Sequence, residues 1–577
     1  HRRLVSWLPG FVLFDPVKMK QQQQNFGGGS SRINPRVLQW ERPKPLLPIP
    51  QKNYAIFMLE IMEKYGDAVA VVDAETYKRR TYRELCGLVP RVSAGLAAAG
   101  VTMGDIVLFL TPTHMDYPLV FLSIVHRGAV CVPINPTLTL DELVHVLKVS
   151  QARWAVVHEA SVTMAEEAFS CLPSHTLKKM WVLGHTSLER PNLEDLMTYT
   201  PSSPITQTEN LDTKKMACLM LFSSGTTGLP KGVMLSHRNI IVSNLRYMCE
   251  ASAIPPGTMT YETRFKVVLL VIPVCHSYGH IMLHLCLQFG GTTVFVQSFS
   301  ARKFLQTIQN FKVTYCPIVP HLAKSLAEMP FLKHYDISSI VSFNSSGALL
   351  PTATVTSFEE KVGRSLAIGY GMTETSAMIS STRISINYNI GSVGRVVPYV
   401  QVKIVDVESG EMLGEHQEGE ICVKGPNVML GYANDPVATA ATIDPQGWLH
   451  TGDIGYYNQD NFIFLTDRMK DLIKVKGFQV SPTELENVIM KCEDVADVAV
   501  VGVPHDRMGE APLAFVVLKP GSKLQPHQLM QFVADRVSHY KQLAGGVKMV
   551  KSIPRNSSGK VLRRQLKKDV LSPAAKL

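Results

Sequence analysis

Residues 223–232 read Ser223-Ser224-Gly225-Thr226-Thr227-Gly228-Leu229-Pro230-Lys231-Gly232, and apolar runs flank them at 217–222 and 233–235. Glycine lets the backbone approach a ligand closely and take up positive φ. Successive N–H groups in such a turn form a nest for anions, and Lys231 adds a point charge beside them. This composition therefore predicts a loop that holds a polyphosphate.

Two other interpretations of these residues compete. Their composition alone fits a Ser/Gly-rich surface turn between two strands about equally well. A Walker-type loop, G-x-x-x-x-G-K-[ST], is excluded because Gly232 stands where a magnesium-binding hydroxyl would follow the lysine. The apolar run after Lys231 also favours a strand over the start of a helix. We therefore predict a phosphate loop of a different kind from that of kinases and ATPases.

The composition bounds the class of protein. The chain has 577 residues, of which 46% are hydrophobic and 18% charged, which is ordinary for a soluble globular enzyme with several domains. Its net charge of +10 suits anionic small substrates such as nucleotides or CoA. Lysine and arginine are scattered rather than clustered, which argues against nucleic acid as a partner.

The cysteines, the apolar runs and the first residues further narrow the class of protein and the part of the chain that is expected to fold. The ten cysteines form no C-x-x-C pair and sit singly in apolar runs, as at Cys218, Cys286 and Cys422, so we predict core residues of a reducing compartment. No apolar run reaches the roughly 18 residues that a membrane-spanning helix needs. Residues 1–36 contain glutamine and glycine runs, and we expect a disordered or artefactual segment there.

From residue 53 onwards, helical and strand patterns alternate, which predicts parallel sheets with crossover helices. Beyond about residue 390, short strands and glycine turns predict a small antiparallel barrel or sheet. A charge-dense link at 467–470 precedes a compact α+β tail. The expected fold class is α/β: a large N-terminal domain (37–466) of mostly parallel sheets flanked by helices plus a small β-barrel subdomain, a hinge (467–470) and a small mobile α+β C-terminal domain (471–577).

Single residues carry weak signals. His276 is expected at the end of a buried strand, where a cleft can begin, yet a lone histidine is more often a core or surface residue. Glu374, in a glycine-bounded turn, is a natural Mg²⁺ ligand beside a triphosphate, or an ordinary solvated carboxylate. Asp453 follows a glycine turn and fits either a ribose contact or an Asx turn. Lys474 and Lys560 lie on the tail domain, where lysines are usually solvated.

The order of these segments is specific, whereas each segment alone is not. The phosphate loop is followed by Tyr370–Glu374, Gly452-Asp453, Asp467-Arg468 with 474–478, and 554–560. In this respect the chain from about residue 40 to its end resembles the adenylate-forming superfamily of acyl-CoA synthetases, peptide-synthetase adenylation domains and luciferases. It is most similar to the branch of 4-coumarate–CoA ligase and luciferase.

The resemblance implies roles for the nucleotide-binding residues. Thr226, Thr227 and Lys231 would hold the β- and γ-phosphates, and Ser346, Gly347 and Ala348 would line the adenine. Tyr370 would stack near the base, Asp453 and Arg468 would bind the ribose hydroxyls, and Glu374 with Thr226 would bind Mg²⁺. The implied ATP- and AMP-binding set is Ser223, Ser224, Gly225, Thr226, Thr227, Gly228, Lys231, Ser346, Gly347, Ala348, Tyr370, Gly371, Met372, Thr373, Asp453, Arg468 and Lys560.

The resemblance also implies catalytic and acyl-binding residues. Lys560 would bridge the substrate carboxylate and the α-phosphate, and Thr373 would reach that phosphate. Lys474 and Gly477 would face the site in the second, CoA-dependent half-reaction, after rotation about a hinge at Lys470. His276 would gate the acyl pocket. The other implied pocket residues are Tyr278, His280, Ile318, Ala377 and Met378.

The sequence thus predicts an ATP-dependent carboxylate–CoA ligase that forms an acyl adenylate and then an acyl-CoA thioester from an apolar fatty or aryl acid. Its expected cofactors are ATP, Mg²⁺ and CoA. The predicted pocket has no acid to pair a substrate ammonium, which argues against amino-acid activation. A luciferase-like oxygenase and a catalytically silent nucleotide-binding relative stay open. The ending Ala575-Lys576-Leu577 predicts recognition by the peroxisomal import receptor, with a cytoplasmic location as the alternative.

Overall fold

A computed structural model of the chain describes residues 35–40, 46–173, 176–184, 190–201, 211–223, 230–254, 259–297, 299–382, 389–475, 478–505, 507–555 and 560–571. The expected N-terminal segment therefore lies outside the described residues except for its last two positions. One of these, Arg36, pairs with Glu415 at 3.0 Å, so it belongs to the folded domain.

The strands and helices alternate through most of the N-terminal part. The strands are β1 (Leu38–Gln39), β2 (Val69–Asp73), β3 (Arg79–Thr81), β4 (Ile106–Leu110), β5 (Val130–Ile134), β6 (Trp154–His158), β7 (Lys179–Leu183), β8 (Ala217–Ser223), β9 (Lys231–Ser236), β10 (Val267–Leu270), β11 (Thr292–Phe295), β12 (Tyr315–Ile318), β13 (Ser342–Ser345), β14 (Ser365–Tyr370), β15 (Ser380–Ser381), β16 (Arg395–Val396), β17 (Gln401–Val405), β18 (Gly419–Lys424), β19 (Gly431–Tyr432), β20 (Leu449–Tyr457), β21 (Ile463–Arg468), β22 (Ile473–Val475), β23 (Phe478–Val480), β24 (Val495–His505), β25 (Gly509–Leu518) and β26 (Gly546–Met549). The helices are α1 (Tyr54–Met62), α2 (Tyr82–Ala98), α3 (Tyr117–His126), α4 (Leu140–Ser150), α5 (Val162–Ser170), α6 (Leu193–Met197), α7 (His237–Ser252), α8 (Tyr261–Arg264), α9 (Ser277–Gln288), α10 (Ala301–Phe311), α11 (Pro320–Ala327), α12 (Thr352–Val362), α13 (Pro436–Thr442), α14 (Pro482–Ile489), α15 (Pro526–Ala534) and α16 (Arg563–Leu571).

Two large sheets build the N-terminal domain. One has seven strands in the order β19-β9-β8-β5-β4-β6-β7, and the other has nine in the order β16-β15-β14-β13-β12-β10-β11-β2-β3. Their central pairs are parallel, with antiparallel strands at the edges. One continuous apolar core contains residues of both sheets and of the helices between them. The expected parallel sheets with crossover helices are therefore present.

Two smaller sheets follow. The antiparallel sheet β1-β17-β18-β20-β21 forms the small subdomain expected beyond residue 390. Its last strand includes Asp467 and Arg468, so the first half of the predicted hinge is still strand. The C-terminal domain contains the strands β22 to β26 and has its own apolar cores.

Local sequence signals explain where the helices begin. Thr81 accepts from the N–H of Glu84, and the Glu84 carboxylate accepts from the N–H of Thr81, which is the predicted capping box. Ser236 caps α7 in the same reciprocal way with Asn239. The Ser236 cap lies where β9 ends and α7 begins, shortly after the predicted phosphate loop.

The boundary before α9 differs from the prediction. Strand β10 ends at Leu270, so His276 does not end a strand; it is the residue immediately before the first turn of α9. Pro273, three residues beyond the end of β10, has no N–H and therefore could not have extended the ladder through the predicted strand. Among the described residues, no helix is both long and apolar enough to cross a membrane.

The cysteines are free thiols in the described part of the chain, and most are buried. Cys218, Cys286 and Cys422 are fully buried, as predicted. Cys171, in contrast, is exposed at the end of α5, so the prediction of a core role does not extend to it.

Candidate active site

The predicted site residues gather where neighbouring strands end. Ser223 is the last residue of β8, Ser346 directly follows β13, and Tyr370 is the last residue of β14. β13 and β14 are parallel and adjacent, and Ser346 Oγ donates to Gly369 O at 2.8 Å. Ligands of open α/β sheets bind at the carboxyl ends of their strands. The edge of these two sheets is therefore the place where a ligand is expected.

Glu374 connects the two sheets. Ser223 Oγ donates to Glu374 Oε1 at 3.1 Å, and Tyr432 Oη donates to the same oxygen at 3.0 Å. Glu374 is only 6% exposed, and its peptide oxygen accepts from Met429 N at 2.9 Å. No described residue donates to Oε2, so one carboxylate oxygen is left for another ligand.

A close backbone contact holds the turn that carries Glu374. A Cβ atom built on Gly371 would lie 1.5 Å from Ala377 O, so only glycine fits there. Ser376 and Ala377 have φ of +52° and +86°, which bends the chain sharply back after Thr373–Thr375. Met372, just before this turn, accepts through its peptide oxygen from Thr375 Oγ1. The glycine thus allows the compact turn that brings Glu374 to Ser223.

Lys231 lies beside the same group of residues. Its Nζ is 4.8 Å from the ring centroid of Tyr432 and 3.8 Å from Asp435 Oδ2. The peptide oxygen of Pro230, its neighbour, lies 2.9 Å from the His145 Nε2 on α4. The remaining loop residues Ser224, Gly225, Thr226, Thr227 and Gly228 lie outside the described residues.

A second polar group surrounds Asp453. Tyr370 Oη donates to Asp453 Oδ2 at 2.9 Å, and Arg468 Nε lies 3.0 Å from Asp453 Oδ1. Burial, followed by the charge of Asp453, raises the pKa of the Tyr370 hydroxyl well above its usual value, so it remains a donor. Tyr370 therefore forms a hydrogen bond with Asp453, the carboxylate predicted to bind the ribose hydroxyls.

The predicted adenine segment follows β13. Ser346 is half-buried, whereas Gly347 is exposed, has φ of +94° and has open space around its Cα. Ala348 is half-buried. An open, left-handed turn of this kind leaves backbone polar groups accessible at the strand ends.

The predicted acyl-pocket residues lie on three neighbouring elements. Tyr278, in the first turn of α9, donates to Asn344, its Oη lying 2.6 Å from Oδ1. Ile318 ends β12, and Met378 follows the turn after β14. Ser277 Oγ lies 3.5 Å from Thr373 Oγ1, so the start of α9 adjoins the turn that carries Glu374.

The two histidines predicted for this pocket differ in environment. Burial lowers the pKa of His276, which favours a neutral ring. His280, one turn further along α9, instead lies between helices: its Nδ1 is 3.2 Å from Tyr117 Oη and its ring packs against Phe121. We therefore assign His280 to the contact between α9 and α3.

Lys560 comes from the C-terminal domain and lies at the second polar group. Burial and the charge of Arg468 lower the pKa of Lys560 to about 8. The carboxylates that oppose this shift, and that therefore lie near the ammonium, are Asp453, Asp471 and Glu374. The ammonium of Lys560 is therefore near enough to both polar groups of the site to interact with their charges.

The other C-terminal residues lie elsewhere. Lys474 is exposed on β22, and its N–H donates to Glu510 Oε2 at 2.9 Å within the same domain. Lys470 is exposed two residues after the end of β21, and its role as a hinge stays a prediction. Gly477 and the chain's last six residues lie outside the described residues.

The chemistry of the donors fits Mg²⁺. This ion prefers oxygen ligands and is held by one or two carboxylates plus phosphate oxygens. Glu374 offers an oxygen beside the predicted phosphate loop and is kept in place by two hydroxyl donors. Thr226, the other predicted ligand, lies outside the described residues.

Sequence reasoning missed two residues of this site. Tyr432 contacts both Glu374 and Lys231, and Asp435 lies against Lys231. Neither belongs to a motif that we recognised in the sequence. The antiparallel pairing of β19 with β9, with Tyr432 opposite Val233, is what brings them to the loop.

Comparison with known proteins identifies the family. The family of AMP-binding enzymes matches residues 59–433, and the family of their C-terminal domains matches residues 484–560. The 4-coumarate–CoA ligase of Pinus taeda is 35% identical over 518 residues, covering 89% of this chain and 94% of that protein. The luciferin 4-monooxygenase of Nipponoluciola cruciata is 33% identical over 551 residues, which cover 93% of this chain and 98% of that protein.

A solved structure shows the same architecture. The crystal structure of ATP-bound MatB from Rhodopseudomonas palustris superposes with a TM-score of 0.78 at 26% identity, covering 90% of this chain and all (100%) of that one. The chain therefore belongs to the AMP-binding enzyme family, within the adenylate-forming group that includes the CoA ligases. The predicted family, the α/β fold class and the enzyme class of AMP-forming acid–thiol ligases are confirmed.

Proposed function

We propose that the chain joins an apolar fatty or aryl carboxylic acid to CoA at the expense of ATP, through an acyl adenylate. The observation that carries this proposal is the pair of oriented carboxylates at the strand ends, Glu374 held by Ser223 and Tyr432, and Asp453 held by Tyr370 and Arg468. Lys560, whose ammonium is near enough to interact electrostatically with both carboxylates, would supply a cation beside the expected phosphates. This is where charge must be offset when a carboxylate attacks the α-phosphate.

The first half-reaction needs positioning and charge rather than a nucleophilic side chain. The substrate carboxylate oxygen attacks the α-phosphorus of ATP, the bond to the bridging oxygen breaks, and pyrophosphate leaves. Lys231 and the backbone of the phosphate loop would hold the leaving phosphates, and Lys560 would neutralise charge at the α-phosphate. Mg²⁺, held by Glu374 and phosphate oxygens, would add to this charge neutralisation.

The second half-reaction transfers the acyl group. The thiol of CoA attacks the acyl carbonyl carbon, AMP leaves with the electron pair, and the thiol proton is released to water. Lys474 is exposed, whereas Lys560 is partly buried and interacts with the charges of the site, which supports two domain orientations related by rotation about 467–470. We propose that the orientation described here is the one that serves adenylation.

The proposed substrate class depends on the acyl-pocket residues. Ile318 and Met378 are apolar and almost fully buried, and the Tyr278 hydroxyl already donates to Asn344. No carboxylate is among these residues, so a substrate ammonium would lack a partner. An uncharged tail is therefore favoured over an amino acid.

The test is a substrate panel. The purified chain is given ATP, Mg²⁺ and CoA with medium- and long-chain fatty acids, cinnamic acids, acetate or amino acids. Pyrophosphate release and acyl-CoA mass are measured. We expect both products with apolar acids. A preference for acetate or an amino acid would overturn the substrate class, and absence of pyrophosphate with every acid would favour a silent relative.

A luciferase-like oxygenase is a second candidate, because a luciferin 4-monooxygenase is 33% identical to the chain. Both activities share the adenylation step, so AMP release alone does not separate them. The two activities are separated by leaving out CoA and measuring the uptake of oxygen. A ligase releases AMP at a rate that depends on CoA and consumes no oxygen, whereas an oxygenase consumes oxygen without CoA.

We also propose import into peroxisomes, consistent with a role in fatty-acid metabolism. The basis is the ending Ala575-Lys576-Leu577, which has the small–basic–leucine form of the peroxisomal address and lies outside the described residues. A fluorescent fusion with a free C-terminus should be punctate, and the same fusion without Leu577 should be diffuse. Equal patterns for both would contradict the proposal.

A further inference from the structure

We propose that Glu420 and His450 are positioning residues for Asp453, the carboxylate assigned to the ribose hydroxyls. Glu420 Oε1 accepts from Gly452 N at 3.0 Å, and Glu420 Oε2 accepts from His450 Nδ1 at 2.7 Å. Neither residue faces the predicted nucleotide directly through these contacts. The inference rests on the proposed nucleotide-binding role of Asp453.

The strand pairing explains why support is needed here. On β18 and β20, Glu420 pairs with Ile454 but Cys422 pairs with His450, so β20 contains extra residues between the two pairs. This bulge consists of Thr451, Gly452 and Asp453. A bulge removes N–H groups from the regular ladder and is common beside active sites, where it redirects a side chain. Asp453 owes its orientation to this irregularity.

Side chains replace the hydrogen bonds that the bulge removes. Glu420 takes the N–H of Gly452, whose φ is +69°. Thr451 Oγ1 accepts from Asp453 N at 3.1 Å and donates to Ile421 O at 2.7 Å. On the other side, Gly452 O accepts from Met469 N at 2.8 Å. The bulge is therefore held by one carboxylate and one hydroxyl on the β18 side.

The His450 ring fixes the Glu420 carboxylate. A carboxylate only accepts, so Nδ1 carries the proton in this contact, and Nε2 lies 3.8 Å from Asp444 Oδ2. Glu420 is 8% exposed. A buried carboxylate with both oxygens hydrogen-bonded is held in one orientation. Through its bond to Gly452 N it fixes the backbone of Gly452, and thereby the position of the neighbouring Asp453.

A metal site is the competing interpretation of this cluster, because Cys422 Sγ lies 3.5 Å from His450 Nδ1. The geometry argues against it. Two ligands on a tetrahedral zinc ion at bond lengths of about 2.0–2.1 Å stand roughly 3.3 Å apart, whereas His450 Nδ1 and Glu420 Oε2 are 2.7 Å apart.

The experiment distinguishes an effect on the position of Asp453 from an effect on the stability of the fold by comparing two nucleotides that differ only in their ribose hydroxyls. AMP and 2′,3′-dideoxy-AMP, which lacks the ribose hydroxyls, are titrated into each protein by calorimetry. Wild type should prefer AMP by about tenfold, which corresponds to about 1.4 kcal/mol. Glu420→Ala should weaken AMP binding by about that factor and leave 2′,3′-dideoxy-AMP within about twofold, because the lost contact concerns only the hydroxyls.

Three further variants make the result specific. Glu420→Gln keeps an oxygen for Gly452 N and should restore most of the preference for AMP. His450→Gln should lower the preference in the same direction by a smaller factor, and it replaces Glu420→Ala if that protein fails to fold. Glu415→Gln, on the same small subdomain but paired with Arg36 at its surface, is the matched control and should behave as wild type.

Two results would overturn the inference. One is an equal loss of affinity for both nucleotides in Glu420→Ala and His450→Gln, which is the signature of a merely structural role. The other is a wild-type chain that makes acyl-CoA but does not distinguish the two nucleotides. Because the titration needs no turnover, failure of the ligase assay is a separate result that bears on the proposed function alone.

Discussion

One carboxylate oxygen of Glu374 accepts hydrogen bonds from two hydroxyl groups, which come from different parts of the chain. Ser223 belongs to the predicted phosphate loop, whereas Tyr432 comes from a short edge strand. Together they leave Oε2 without a donor among the described residues. At the scale of single residues, the site is therefore an oriented carboxylate next to a lysine that rests on the Tyr432 ring.

Replacing Tyr432 by phenylalanine should weaken binding of ATP in the presence of Mg²⁺ by about tenfold. The ring that supports Lys231 remains, but Glu374 loses one of its two donors, and a hydrogen bond to a charged group contributes about 1.5–3 kcal/mol. Calorimetric titration of ATP with and without Mg²⁺ measures this, and the loss should be confined to the titration with Mg²⁺.

Tyr399→Phe provides the control for this prediction. Its hydroxyl donates to Leu47 O at 2.7 Å, so the substitution removes a comparable hydrogen bond that does not involve the site residues. The control should keep the affinity of wild type. Unchanged Mg²⁺–ATP affinity in Tyr432→Phe would show that Ser223 alone orients Glu374.

The motifs predicted individual site residues, but not the side chains that hold them in place. Lys231 and Glu374 were predicted, and both contact Tyr432; Asp453 and Arg468 were predicted, and they pair with each other. Tyr432 and Glu420 were missed because their contacts depend on strand pairing and register, which join segments far apart in sequence. Local patterns carry no information on such register shifts.

At the scale of elements, the turn after β14 tolerates only glycine at position 371. Gly371→Ala should destabilise the protein by about 1–3 kcal/mol, because the new Cβ would lie 1.5 Å from Ala377 O and the backbone must shift. Urea unfolding of the purified variant measures the loss. Weak expression of insoluble protein would agree with it.

Gly87→Ala is the matched substitution. Gly87 lies inside α2, and a Cβ there would meet nothing within 4 Å. Alanine should stabilise the helix by about 0.5–1 kcal/mol. Similar free energies of unfolding for the two variants would contradict the close-contact explanation.

The start of α9 shows where element boundaries escape sequence patterns. Residues 267–274 form a continuous apolar run, which predicts a strand that reaches the site. The strand ends at Leu270, three residues before Pro273, so His276 directly precedes α9 and Tyr278 lies in its first turn. Their roles in the acyl pocket stay predictions.

At the scale of the whole molecule, buried histidines should make stability sensitive to acid. Burial lowers the pKa values of His126, His237 and His284 to about 4. Their folded-state values lie below the unfolded value of about 6.5. They therefore stabilise the fold fully above pH 6.5, and this stabilisation is lost as the pH falls towards 4.

Urea unfolding between pH 7.5 and 5 tests this. Each histidine should contribute a loss of about 2 kcal/mol at pH 5. His284→Phe, in a site already lined by Tyr54 and Phe121, should lower the slope of stability against pH in this window. His527→Gln removes an exposed ring on α15 and should leave the slope unchanged. A slope that does not change in His284→Phe would contradict the assignment.

In the proposed function, one chain carries out adenylation and thioester formation with different lysines of its C-terminal domain. The most direct measurement compares Lys560→Ala with Lys474→Ala in the two half-reactions. Adenylation is followed by pyrophosphate release without CoA, and thioester formation by acyl-CoA mass from a supplied acyl adenylate. Lys560→Ala should slow adenylation by about a hundredfold or more and leave the second step nearly intact, and Lys474→Ala should give the reverse. Equal losses in both steps for both variants would contradict the account.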